Sequence, residues 1–129
     1  MLNIIYKGDI MITHKLGTVK GRHEIKKVQE YVFESIPDPT DVKRTERMAY
    51  DRLSNLKKKS PCKVELYVTG LTMAVISVIN AASALAVPIT LMHYDRETGN
   101  YFPQELGYLH PFGKNDNLKE YETKKIKAR

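Results

Sequence analysis

From Lys63 to Thr69, Val64, Leu66 and Val68 alternate with Glu65, Tyr67 and Thr69, the two-residue period of a β-strand. Thr69-Gly70 breaks the alternation, since glycine permits a sharp turn. Leu71 to Ala86 then carries almost no polar surface and predicts a helix, with Thr72 as its N-cap. Pro88 restarts the chain, and Ile89 to Tyr94 predicts a second apolar strand. Strand, helix and strand at this spacing predict a right-handed βαβ unit with parallel strands. Asp95 to Asn100 predicts a polar turn, with Gly99 at a positive φ, leading into a short strand at Tyr101-Phe102-Pro103. The carboxyl ends of two parallel strands share one edge. Gly70-Leu71-Thr72 and His93-Tyr94-Asp95-Arg96 are therefore expected side by side, where ligands of open α/β sheets bind. The free N–H groups of the helix start favour an anion there.

Toward the N-terminus, Leu2 to Tyr6 and Ile10 to Thr13 predict two short strands around a turn at Lys7-Gly8-Asp9, with Met11 an alternative start. Gly17 and Gly21 bracket an expected flexible connection. Arg22 to Ser35 predicts a helix with Ile25, Val28, Val32 and Phe33 in one stripe and Glu24, Lys26, Lys27 and Glu30 outward. Asp38 as N-cap and Pro39 at the first position predict another helix, running to about Lys58 through Val42, Ala49, Leu53 and Leu56. Lys57-Lys58-Lys59 suits the negative end of its dipole.

The central helix, with Val75, Ile76, Val78, Ile79 and Leu85 around much of its circumference, must be covered on two sides. One cover is the sheet, and the other is either the 38–58 helix or a second subunit. The small residues Ser77, Asn80, Ala81 and Ala84 make a symmetric homodimer the alternative to an intrachain neighbour. Beyond Gln104, Glu105 to Asn117 is expected to be loop with an extended part near Tyr108-Leu109. Leu118 to Ala128 has few apolar anchors for a helix, and the tail from about 114 is expected to fray. The expected fold class is one α/β domain over 1–129: a Rossmann-like mixed sheet with a central parallel βαβ unit at 63–103 and additional N-terminal helices.

A chain of 129 residues, 42% hydrophobic and 28% charged, can bury a core as one domain. Cys62 is the only cysteine, which excludes an intrachain disulfide and a thiolate zinc site and points to a reducing, cytoplasmic setting. Met1 to Ile12 carries Lys7 and Asp9 and does not read as a signal peptide. The apolar run Leu71 to Met92 approaches membrane length, but Pro88 splits it into helix and strand, so no membrane span is expected. The formal charge of +6 and a pI near 9.4 favour anionic partners. That excess lies in Lys43 to Lys59 and from Lys114 onward, whereas Lys63 to Gln104 sets Lys63 and Arg96 against Glu65, Asp95 and Glu97.

No G-x-G-x-x-G or G-x-x-x-x-G-K-[ST] motif is present, which argues against a dinucleotide or Walker-type site. His93 beside Asp95 has the chemistry of a general base or metal ligand, and equally of a structural histidine. His14, His23 and His110 form no ligand spacing with it. Asp95 to Gly99 reads either as a plain hairpin loop or as part of a site. Lys43, Arg44, Arg47 and Arg52 read either as a solvated helix face or as a positive rim for a long nucleic acid, without the aromatic interleaving of single-strand binders.

The apolar strand ending in Gly70, the buried helix, Pro88 opening a strand, and Tyr94-Asp95 followed by Gly99 and Gln104 resemble the small CARF-like ring nucleases of type III CRISPR systems, over residues 63–104. The resemblance implies a homodimer that binds, and in some members cleaves, a cyclic oligoadenylate messenger in antiviral signalling. By the same resemblance, Gly70 and its neighbours Thr69, Leu71 and Thr72, with Tyr94 and Gln104, would contact ligand and Asp95 would sit at the catalytic edge; His93, as a substitute for the family's histidines, and Arg96 are the further residues expected to serve catalysis. In-line attack by a ribose 2′-hydroxyl needs positioning and charge stabilisation more than a strong base. No cofactor is required on this reading, and manganese is allowed as an assisting ion. Where that family carries histidines ahead of its Pro-to-Tyr-Asp strand, this chain has Ala86 and Val87, so metal-dependent cleavage is not implied. The competing expectations are a non-enzymatic nucleic-acid- or partner-binding module on the basic helix, and an enzyme of a small phosphorylated metabolite.

Overall fold

A computed structural model describes residues 11–21, 25–28 and 30–106. The elements in chain order are β1 (Ile12–Val19), β2 (Glu30–Phe33), α1 (Val42–Lys59), β3 (Cys62–Tyr67), α2 (Thr72–Leu85), β4 (Ile89–Asp95) and β5 (Asn100–Glu105). They form a mixed α/β structure: a five-stranded sheet of order β2-β1-β3-β4-β5, parallel except for the antiparallel β4–β5 pair. Its centre is the βαβ unit expected from the apolar pattern.

The steps β2 to β3 and β3 to β4 run in the same direction across the sheet, so right-handed crossovers put both helices on one face. There α1 buries Thr45, Ala49, Leu53 and Leu56, and α2 buries Ala74, Val75, Val78, Ala81 and Ala82. Between them and the sheet lie Leu16, Val64, Leu66, Ile89 and Leu91. The helices also touch each other: Asn80 donates to Glu46 at 2.8 Å, and Lys57 reaches the Leu85 carbonyl at the C-terminus of α2. The 38–58 helix is thus the intrachain cover of α2, although Ile76 stays half exposed.

The step from β1 to β2 runs the other way, and its connection crosses the opposite face. Ile25 and Val28 are buried there against Tyr67, with Tyr31, Met92 and Tyr101 around them. This corrects the helix expected at 22–35. Ile25 and Val28 belong to one core while Val32 and Phe33 belong to the other, so the helix-like spacing was a coincidence of two faces. Glu30-Tyr31-Val32-Phe33 is rich in aromatic and β-branched residues, and it pairs with the free edge of β1. Gly17 is likewise not part of a flexible connection. It sits inside β1 opposite Tyr31, and a Cβ there would lie 2.3 Å from the Tyr31 ring.

Two caps also differ from expectation. Asp41, not Asp38, caps α1 by accepting from the Arg44 N–H, while Asp38 closes a turn by accepting from Thr40. Leu71, not Thr72, occupies the N-cap of α2, with no side chain capping it. The strand expected at 101–103 is longer, 100–105, because pairing with β4 runs back to Thr90↔Glu105. Of the hairpin expected over residues 2–13, Ile12 and Thr13 begin β1, which runs on to Val19 and pairs with β3, while residues 2–10 and the elements expected at 108–109 and 118–128 lie outside the described residues. No helix among the described residues is long and apolar enough to cross a membrane.

The Gly17 contact yields a stability prediction. Gly17→Ala should destabilise the protein by about 1–3 kcal/mol in urea unfolding, because the added methyl must displace a packed ring. In a Tyr31→Ala background the same substitution should cost far less. Equal costs in the two backgrounds would show that the ring does not occupy that space.

Candidate functional site

The ladder between β1 and β3 stops at Gly17↔Tyr67, and two threonines continue it. The fully buried Thr18 hydroxyl donates to the Tyr67 carbonyl at 3.0 Å and accepts from the Thr69 N–H at 3.4 Å. The Val19 N–H in turn donates to the Thr69 hydroxyl at 3.4 Å. These bonds hold the end of β3 straight up to Gly70, whose φ of 53° turns the chain into α2. On the neighbouring strand, Asp95 organises the turn into β5. Its carboxylate accepts from the Glu97 N–H and the Thr98 hydroxyl, both at 3.0 Å, while its carbonyl accepts from the Gly99 N–H at 2.8 Å. Gly99 takes the expected positive φ, 73°.

Between these turns, on the face away from the helices, lies a cleft of about 630 Å³. Val68, Thr69 and Gly70 form one wall, and Tyr94 and Arg96 another. Asn100 and Tyr101 of β5, together with Gly99, add to the second wall. Ile25, Lys26 and Lys27 of the β1–β2 connection close the third side. Among the described residues, the charged side chains lining the cleft are Lys26, Lys27 and Arg96. An anion entering here meets these three cations.

The aromatic wall is built in layers. Tyr67, 2% exposed, meets Tyr101 edge-on at 4.9 Å and 75°, and Tyr101 meets Tyr94 at 5.3 Å. Tyr94 is 53% exposed, so a flat ligand can reach its ring. Burial first, then Glu65 and Tyr101, pushes the Tyr67 hydroxyl above its ordinary range. Burial first, then Tyr94 and Tyr31, does the same for Tyr101. Both phenols remain protonated at neutral pH.

The expected site residues therefore divide. Thr69, Gly70, Tyr94 and Arg96 surround the cleft, and Leu71 and Thr72 begin the helix immediately after it. Asp95 spends its carboxylate on its own turn. His93 is paired with Phe102 on the opposite side of the hairpin from Tyr94. There its ring nitrogen lies 2.8 Å from the Gln104 amide oxygen, and it packs against Phe102 at 5.4 Å. Of the basic helix residues, Lys43, Arg44 and Arg47 are exposed, and Arg52 pairs with Glu30. Among the described residues no group of three His, Cys, Asp or Glu side chains is placed to hold a metal ion.

Lys26, Lys27, Asn100 and Tyr101 were not among the expected contacts. The Tyr94↔Tyr101 pairing was readable from the short turn between them, whereas the lysines needed the crossover that carries them over the sheet. Models of protein families and characterised proteins gave no match to the chain.

The raised tyrosine pKa values predict an alkaline limit. A phenol held protonated by the fold contributes stability that is complete below its unfolded value, about 10, and is lost as pH rises through the higher folded value. Urea stability of the wild type should therefore fall as pH passes above about 10, and Tyr67→Phe should flatten that fall. Identical pH profiles for wild type and Tyr67→Phe would show that Tyr67 ionises as freely folded as unfolded.

Proposed function

We propose that the protein binds a nucleotide messenger in this cleft, with cyclic oligoadenylate the leading candidate, as a component of antiviral signalling. The observation that carries this reading is the meeting of an aromatic wall, Tyr94 and Tyr101, with the three cations Lys26, Lys27 and Arg96. Stacking suits a base, and the cations suit its phosphates. The Rossmann-like and ring-nuclease resemblance belongs to the same reading, as does a two-fold homodimer across which a symmetric ring would lie. The half-exposed Ile76 and Phe102 support an association surface. Cleavage on this reading depends on positioning a ribose hydroxyl in line and on Arg96 stabilising charge. Asp95 and His93 act outside the cleft lining, and manganese assists only where phosphates bring it.

A second reading, long nucleic acid along α1, is favoured by the exposure of Lys43, Arg44 and Arg47. It would show as salt-steep binding of RNA or DNA of any sequence.

The test is retention and product analysis with cyclic tetra- and hexa-adenylate, with and without manganese. The rings should be retained, and Arg96→Gln should weaken retention by about tenfold or more, the usual cost of losing a hydrogen bond to a charged group. His93→Ala should leave retention unchanged. Rings that pass unretained would remove the proposal. Retention lost in His93→Ala but kept in Arg96→Gln would move the site to the other face of the hairpin.

A further inference from the structure

Resting on the reading of this cleft as a nucleotide site, we infer a preference within it: a single nucleotide is held more tightly by a terminal phosphomonoester than by a phosphodiester, whereas a ring, which has diesters only, is held by two clefts of a dimer at once. Charge is the first observation. Among the described residues, Lys26, Lys27 and Arg96 line the same space and no carboxylate lines it with them. A terminal phosphate brings a charge of about −1.5 to −2 and three strong acceptor oxygens, whereas a diester brings a single negative charge and two free oxygens.

The second observation is an unused donor. Thr69 is 6% exposed and lines the cleft, and its oxygen already accepts from the Val19 N–H. Among the described residues nothing accepts its proton. A nearly buried hydroxyl whose oxygen is engaged has its proton to offer to an acceptor inside the cleft. Gly70 stands next to it, followed by the uncapped start of α2, whose Leu71 carbonyl is taken by Ala74 and Val75 while no side chain caps the first N–H groups. Cations from two loops and a hydroxyl from a third line one space, and three donor groups suit the three oxygens of a monoester better than the two of a diester. The volume of about 630 Å³ lies in the range that encloses a drug-sized ligand, so one nucleotide end fills it against Tyr101.

Calorimetric titration with adenosine 5′-monophosphate, 3′,5′-cyclic adenosine monophosphate, adenosine and ribose 5-phosphate tests this. The monoester nucleotide should bind about tenfold or more tightly than the cyclic diester. Its affinity should fall as pH drops below about 6, where the phosphate takes up its second proton, while the diester shows no such fall. Arg96→Gln should narrow the gap between the two, and Thr69→Ser, which keeps the hydroxyl, should preserve it. Equal binding of monoester and diester, or an equal loss for both in Arg96→Gln, would overturn the inference. Ribose 5-phosphate matching the nucleotide would overturn the place given to the base. Cyclic tetra-adenylate retained while the monophosphate fails to bind would overturn this preference and leave the nucleotide reading standing. Failure of every nucleotide, ring included, would overturn both.

Discussion

The handedness of parallel crossovers decides what this protein can build on each side of its sheet. Two crossovers run in one direction and lay α1 and α2 together over the face carrying Val64, Leu66, Ile89 and Leu91. The third runs backward from β1 to β2 and carries Ile25 and Val28 across the other face onto Tyr67. Without that reversal the second face would present Tyr67, Tyr101 and Met92 to water, and Lys26 and Lys27 would not stand above the turn at Gly70. The cleft is thus a consequence of strand order before it is a consequence of any motif.

The tyrosines translate this order into a rigid wall. Tyr67 is buried beneath the connection and meets Tyr101 edge-on, and Tyr101 in turn supports the exposed Tyr94. Gly17 is the counterpart on β1, since its missing side chain leaves room for the ring of Tyr31. The Thr18–Thr69 bonds finish the edge where the backbone ladder ends. Each device uses a small or aromatic residue to fix a position next to the cleft rather than inside the main core, where aliphatic side chains suffice.

The central unit was legible because its two strands and helix have clean, separate periods, bounded by Gly70 and Pro88. The side-by-side placement of Gly70 and Arg96 followed from parallel strands alone. The stretch 25–33 was not legible, because residues of two cores fall by chance at helical spacing and only the neighbouring edge of β1 selects the strand. Asp95 and His93 drew attention as titratable neighbours, yet strand alternation sends His93 to the side away from Tyr94, and the turn consumes Asp95's carboxylate. Lys26 and Lys27 looked like an ordinary solvated helix face, and only the path of the chain over the sheet brings them to the cleft.

Amide chemical-shift mapping during titration with adenosine 5′-monophosphate addresses the central claim, that the three loops around Gly70, Arg96 and Lys26 enclose one ligand site. The account predicts that Thr69, Gly70, Arg96 and Asn100 shift together with Lys26 and Lys27, on one saturation curve, while His93, Gln104 and the α1 residues Lys43, Arg44 and Arg47 stay in place. Shifts confined to α1, or shifts at Gly70 and Arg96 that saturate at different concentrations, would contradict it.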